Sequence, residues 1–271
     1  RDPEMSRGLG DVYKRQLHTR IPHLNATLAS TYSKYRKFFP KIVRPLVEQY
    51  IYKISIDAFD SCFSLGSDCL AATILREINL RKCSGPFDWI AGLPYLTKLE
   101  LIEKRFSGML NREDLEYTEQ KAPEGTIHVF NRKNNALFIH DFKDDSEEDY
   151  QRVTEKYARR QKRFFSLTTN AKVMLLYIEG GNDNYDYVEN IDDVIEATCR
   201  VKRNLNARRL SVILCIKSDQ NYNFTDVYER DGCEIYIQRF DSKALKAGEW
   251  TPYSTVNDLT KRTIGIAVNR N

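Results

Sequence analysis

The chain has 271 residues, 41% hydrophobic and 30% charged, with 42 basic against 38 acidic side chains and a formal net charge of +4. That length allows a sizeable core with no metal or disulfide staple, and near-balanced charge at this apolar content excludes a disordered chain. No apolar run reaches the length of a membrane-spanning helix, and no basic-then-apolar leader supports secretion, so a cytoplasmic protein without a transmembrane segment is expected.

Residues 1–16 (RDPEMSRGLGDVYKRQ) lack periodicity and mix charges; they read as a non-native, disordered scar, with the natural chain expected to extend upstream, into a missing domain. Over 17–53 seven basic residues accompany one acid, Glu48, so this stretch is basic while the rest of the body is slightly acidic. Tyr32, Tyr35, Phe38, Phe39, Ile42, Val43, Leu46 and Tyr50 lie between those charges. A basic helical arm is expected over 17–53, broken near Pro40 and Pro45 and packed on the domain or on one upstream. A membrane surface or nucleic acid is the other partner such a composition admits; the acidic body argues against nucleic acid.

Over 54–271 strands and helices alternate. Residues 58–65 (AFDSCFSL) read as a short buried strand that Gly66 ends, and 68–79 as a helix with Ser67 as N-cap. Residues 84–92 form a loop punctuated by Gly85 and Pro86, and 94–106 a helix. Strands 126–131 and 136–142 flank Asn134 and Asn135, which tolerate positive φ, so a β-hairpin is expected. Ser146 should cap a helix over 147–167 that starts acidic and ends basic, as the helix dipole favours. Strand 172–179, helix 190–206, strand 209–217 and strand 234–240 follow. Apolar strands separated by helices indicate a mostly parallel sheet covered on both faces: a single three-layer α/β domain with an inserted hairpin and a helical N-terminal arm. The six cysteines show no C-x-x-C pair, and Cys62, Cys215 and Cys233 sit in strand-like runs, so reduced thiols are expected.

In open α/β sheets ligands bind beyond the carboxyl ends of strands, where loops lead into helix N-termini. The 58–65 strand ends in Ser64-Leu65-Gly66-Ser67-Asp68-Cys69, which brings Cys69 to the first helical turn, where unpaired N–H groups favour a thiolate or an oxyanion. A structural role for Cys69 is the alternative, and adjacent Asp68 opposes ionisation. Of the four histidines, His128 and His140 lie on the hairpin, so the base of any Cys–His pair comes from there. Strand alternation puts Phe138, His140 and Phe142 on one face and Asp141 on the other. A two-residue turn would pair His128 with Asp141 as a structural contact. Asp88, in Gly85-Pro86-Phe87-Asp88-Trp89, is then the candidate to orient His140; capping of its own loop is the competing role. No metal-ligand cluster and no phosphate-loop pattern appears, so no cofactor is expected.

The ordered set FSLGSDC (63–69), SGPFDWI (84–90) and FIHDF (138–142), with KYARR at 156–160, resembles a bacterial family of unknown function described as papain-like cysteine peptidases. The resemblance covers roughly 57–220 and implies Cys69 as nucleophile and His140 as base, with Gly66, Pro86, Asp88 and Trp89 among the matching positions. The expected function is a cysteine-dependent hydrolase or acyl transferase acting on a peptide-like or other carbonyl substrate, with Ser64, Gly66, Ser67 and Trp89 lining the binding site. The alternative is a non-catalytic ligand-binding or accessory module of a larger carbohydrate-processing protein.

Overall fold

A computed structural model describes residues 17–20, 28, 31–32, 35–66, 69–180, 191–219, 224–241 and 253–270. Residues 1–16 and Ser67 lie outside the described residues, and the N-cap expected at Ser67 falls at Cys69 instead. In chain order the elements are β1 (Leu17–Arg20), α1 (Arg44–Tyr52), β2 (Ser61–Gly66), α2 (Leu70–Glu77), β3 (Ile90–Ala91), α3 (Tyr95–Glu103) and β4 (Leu115–Lys121). Then come β5 (Ile127–Asn131), β6 (Ala136–Phe142), α4 (Glu147–Thr168), β7 (Lys172–Ile178), α5 (Ile191–Leu205), β8 (Arg209–Ser218), β9 (Phe224–Arg230), β10 (Cys233–Asp241) and α6 (Tyr253–Arg270).

The larger sheet has the order β1-β9-β10-β8-β7-β2. Its neighbours β2–β7, β7–β8 and β8–β10 run parallel, while β9 pairs antiparallel with both β10 and β1. Strand alternation sorts the parallel strands' side chains into two cores. Val173, Leu175 and Tyr177 of β7 enter one core with Leu210, Val212 and Leu214 of β8; Met174, Leu176 and Ile178 enter the other with Ile213 and Cys215. Side chains of α4 and α5 fill the first core and those of α2 and α6 the second. This is the mostly parallel, doubly covered α/β sheet expected from the uniformly apolar strands. Burial pushes the thiols of Cys62 and Cys215 up to about 12, which makes them inert packing groups.

Several details differ from the sequence expectation. The hairpin is half of a four-stranded antiparallel sheet, β3-β6-β5-β4, whose apolar face joins the first core. The largely polar LEYTEQK strand gave no apolar period to find, because its other face is open to solvent. At the hairpin tip Asn131 pairs with Ala136, so the turn has four residues rather than two, closed by Asn135 N–H donating to the Asn131 carbonyl at 2.9 Å. Leu17–Arg20, expected in a helical arm, is a strand paired to β9. Ser146 does cap α4, its hydroxyl accepting from the Asp149 N–H at 3.1 Å.

Candidate active site

Strands β2 and β7 are parallel neighbours whose exits go opposite ways: β2 leads to α2 on one face, β7 to α5 on the other. In open α/β sheets a divergence of this kind is where ligand crevices form. Gly66 and Cys69 stand at the mouth of one strand, Glu179 and Gly180 at the mouth of the other.

The exit of β2 is built tightly. Buried Ser64 folds its hydroxyl back to accept from the Gly66 N–H at 2.9 Å. Gly66 has φ +67, and a Cβ there would lie 2.7 Å from the Phe87 carbonyl oxygen, so glycine is required both for the turn and for the close approach of the next loop. The Gly66 carbonyl accepts from buried Lys98 Nζ at 3.2 Å. Cys69 then takes the N-cap position of α2, exposed and in no disulfide, its carbonyl accepting the Thr73 N–H at 3.0 Å. Its neighbourhood therefore includes the first-turn N–H groups of a helix, which lack partners within the helix itself.

The 84–90 loop follows α2 and packs back against Gly66. Asp88 is buried, with Oδ2 accepting from Arg81 Nε and from the Gly85 N–H, each at 2.9 Å. Burial raises its carboxyl above the usual range, more than Arg81 and the Gly85 N–H lower it. Asp88 thus clasps its own loop; its bonds go to Arg81 and Gly85, and none goes to His140. The next residue, Trp89, is half-buried beneath the Arg81 guanidinium, 5.8 Å from the ring centre, and meets the His140 imidazole edge to face with centroids 6.1 Å apart.

His140 reaches that position through a bulge. Val129 pairs with Phe138 and Ile127 with Phe142, so Ile139, His140 and Asp141 stand opposite the single residue His128. The strict alternation expected for β6 breaks there: Asp141 and Phe142 are both buried, and His140 turns out to solvent. The expected His128–Asp141 pair is absent. Instead Asp141 accepts from Lys156 Nζ and, at 2.8 Å, from the Tyr157 hydroxyl, while His128 Nδ1 lies 3.2 Å from Gln120 Oε1.

His140 Nδ1 bonds Glu124, a residue sequence reasoning missed. Glu124 sits on the tight turn between β4 and β5, closed by the Ala122 N–H donating to the Thr126 carbonyl at 2.8 Å. The Thr126 hydroxyl donates to the Ile139 carbonyl at 2.8 Å and so stitches that turn to the bulge. The hydrogen bond from His140 holds the exposed Glu124 carboxyl below its usual range. Pro123 and Gly125 mark a turn around Glu124, but they say nothing of a contact sixteen residues away.

Among the described residues no group of His, Cys, Asp and Glu is arranged to hold a metal ion, and no helix is long and apolar enough to cross a membrane.

No solved structure matches the chain. It is 29% identical over 178 residues to the uncharacterized protein R408 of Acanthamoeba polyphaga mimivirus, an alignment covering 59% of this chain and 79% of the viral protein. Residues 60–221, which run from the start of β2 past the end of β8, match a family described as "Putative papain-like cysteine peptidase (DUF1796)". That span holds more than half of the chain and both Cys69 and His140, so the protein belongs to this family.

Proposed function

We propose that the protein is a cysteine-dependent hydrolase or acyl transferase in which Cys69 is the nucleophile and His140 the base. The contact between Trp89 and His140 carries this reading, because the loop bearing Trp89 also packs on Gly66, three residues before Cys69. It supports a histidine and a cysteine, seventy-one residues apart in sequence, working at one crevice.

In this mechanism Glu124 holds Nδ1 and leaves Nε2 for proton transfer. The Cys69 sulfur, its proton passed to His140, attacks a substrate carbonyl carbon, and the new oxyanion is met by first-turn N–H groups of α2. The carbonyl re-forms as the leaving group departs with the proton from His140. Water, deprotonated by His140, then attacks the thioester and releases the acid and the free thiol; a second nucleophile in place of water gives acyl transfer. Asp88 acts here as a positioning residue for Trp89. Ser64 and Gly66 shape the turn that leads to Cys69. Ser67, also expected to bind, lies outside the described residues.

Alkylation of the native chain by iodoacetamide near neutral pH, with mass-spectrometric mapping, tests the nucleophile. Cys69 is expected to react faster than a model thiol, and Cys69→Ala to lower turnover of an activated ester or peptide about a thousandfold. Ordinary reactivity at Cys69, with turnover intact in Cys69→Ala, overturns the reading and favours a non-catalytic binding module.

A further inference from the structure

The basic stretch before β2 carries a second, exposed apolar face. On its inner side α1 buries Glu48, Ile51 and Tyr52. Glu48 is 0% exposed and accepts from Lys261 Nζ at 2.7 Å and Arg36 Nε at 2.9 Å, which ties α1 to α6. At Gly265 of α6 a Cβ would collide with the Tyr52 carbonyl oxygen, so the two helices are pressed together there. Clamped this way, α1 cannot roll its outer side inward.

That outer side is apolar. On α1 Leu46 (63% exposed) and Tyr50 (80%) stand one helical turn apart, and Ile42 (85%) and Phe38 (72%) lie on the turns just before the helix. Seven of the eleven large hydrophobic side chains exposed among the described residues fall between positions 35 and 50, so this is a patch and not a scatter. Lys41 and Arg44 flank it. Between residues 35 and 53 the only acid is Glu48, which is turned inward, so this stretch adds no exposed carboxylate of its own to the face.

We propose that this face docks the protein on an anionic membrane surface. Large apolar side chains at helical spacing enter the headgroup boundary while basic groups beside them meet lipid phosphates and carboxylates. A second copy of the chain is the poorer occupant, since it would set cation against cation across the contact. Nucleic acid is also poorer: it draws on dense positive charge, not on exposed isoleucine and leucine. The docking is independent of the proposed hydrolase activity and holds whether or not Cys69 is a nucleophile.

Flotation of the whole chain with vesicles tests the proposal. Binding is expected to phosphatidylcholine vesicles containing phosphatidylserine, to be weak on phosphatidylcholine alone, and to fall with added salt. The pair Ile42→Glu with Leu46→Glu should weaken binding by about tenfold or more, and Lys41→Glu by less. These side chains are outside the core, so thermal melts should be unchanged; Tyr50→Ser gives a gentler version of the same loss. Absence of binding to the phosphatidylserine vesicles overturns the proposal, as does equal binding by the variants. So does a stable dimer that Ile42→Glu dissociates, or tighter binding to an oligonucleotide than to vesicles.

Discussion

Trp89 stands between two polar centres made of the same kinds of groups and built for opposite ends. On one side the Arg81 guanidinium and the Asp88 carboxylate are paired out of water, and Gly85 completes the carboxylate's hydrogen bonds. On the other, His140 and Glu124 are paired in solvent, turned outward by a bulge. An ion pair buried this way is turned away from solvent, and removing one partner leaves a charge or an N–H stranded. The exposed pair stabilises the fold little but keeps an imidazole oriented and reachable. The buried centre therefore clasps its own loop, while the exposed one stays open to solvent, and the indole touches both.

The contrast can be broken most forcefully at Gly66, on which the clasped loop rests. Gly66→Ala needs a positive φ from alanine and drives a methyl against the Phe87 carbonyl, so a loss of about 3 kcal/mol in urea unfolding is expected, with turnover reduced in the folded fraction. A neutral result would show that the loop does not lean on that glycine. Asp88→Ala comes next, at about 2 kcal/mol, because Gly85 N–H and Arg81 lose their acceptor; Asp88→Asn should cost about half as much, since it keeps an acceptor and removes a charge that burial disfavours. If Asp88→Asn instead left stability intact and abolished turnover, Asp88 would belong to the chemistry and the two centres would exchange roles. Glu124→Gln sharpens the other half: turnover should fall about tenfold at an unchanged melting temperature, as expected when an imidazole loses its orienting partner.

The smallest effect concerns acid. Burial pulls the Glu77 carboxyl up, but Lys261 and Arg36 outweigh it and hold it below its ordinary 4.5. A depressed folded value means the stabilisation is whole above pH 4.5 and is lost as pH falls through that lower value. Glu77→Gln should therefore flatten the acid limb of a stability–pH curve, leaving its neutral plateau slightly lower. A steeper limb would mean that Lys261 and Arg36 do not hold the Glu77 carboxylate in its charged form.

Much of the fold was legible because its signals are local. Uniform apolar runs such as KVMLLYI and RLSVILCIKS mark strands buried on both faces, and the structure returns them as β7 and β8, the middle pair of the sheet's parallel part. Ser146 before an acidic triplet marks a helix start, and its hydroxyl does cap α4. The candidate site was half legible: Cys69 follows from a strand, a glycine turn and a helix start, all within one short segment. The contact of Glu124 with His140 was not, since it is no property of Glu124's own neighbourhood in the chain. Strands β4 and β9 escaped for a related reason, being mixed in polarity and identified mainly by what they pair with.

By itself the sequence determined the layers of this protein, since burying an apolar strand or helix face obeys a period that can be read residue by residue. Only the tertiary structure decided which polar groups meet. A two-residue excess in β6 turned His140 outward toward Glu124 and sent Asp141 inward to Lys156 and Tyr157. A bulge of that kind changes side-chain direction without changing composition, so the partner of each charged group is settled by register and packing, not by pattern.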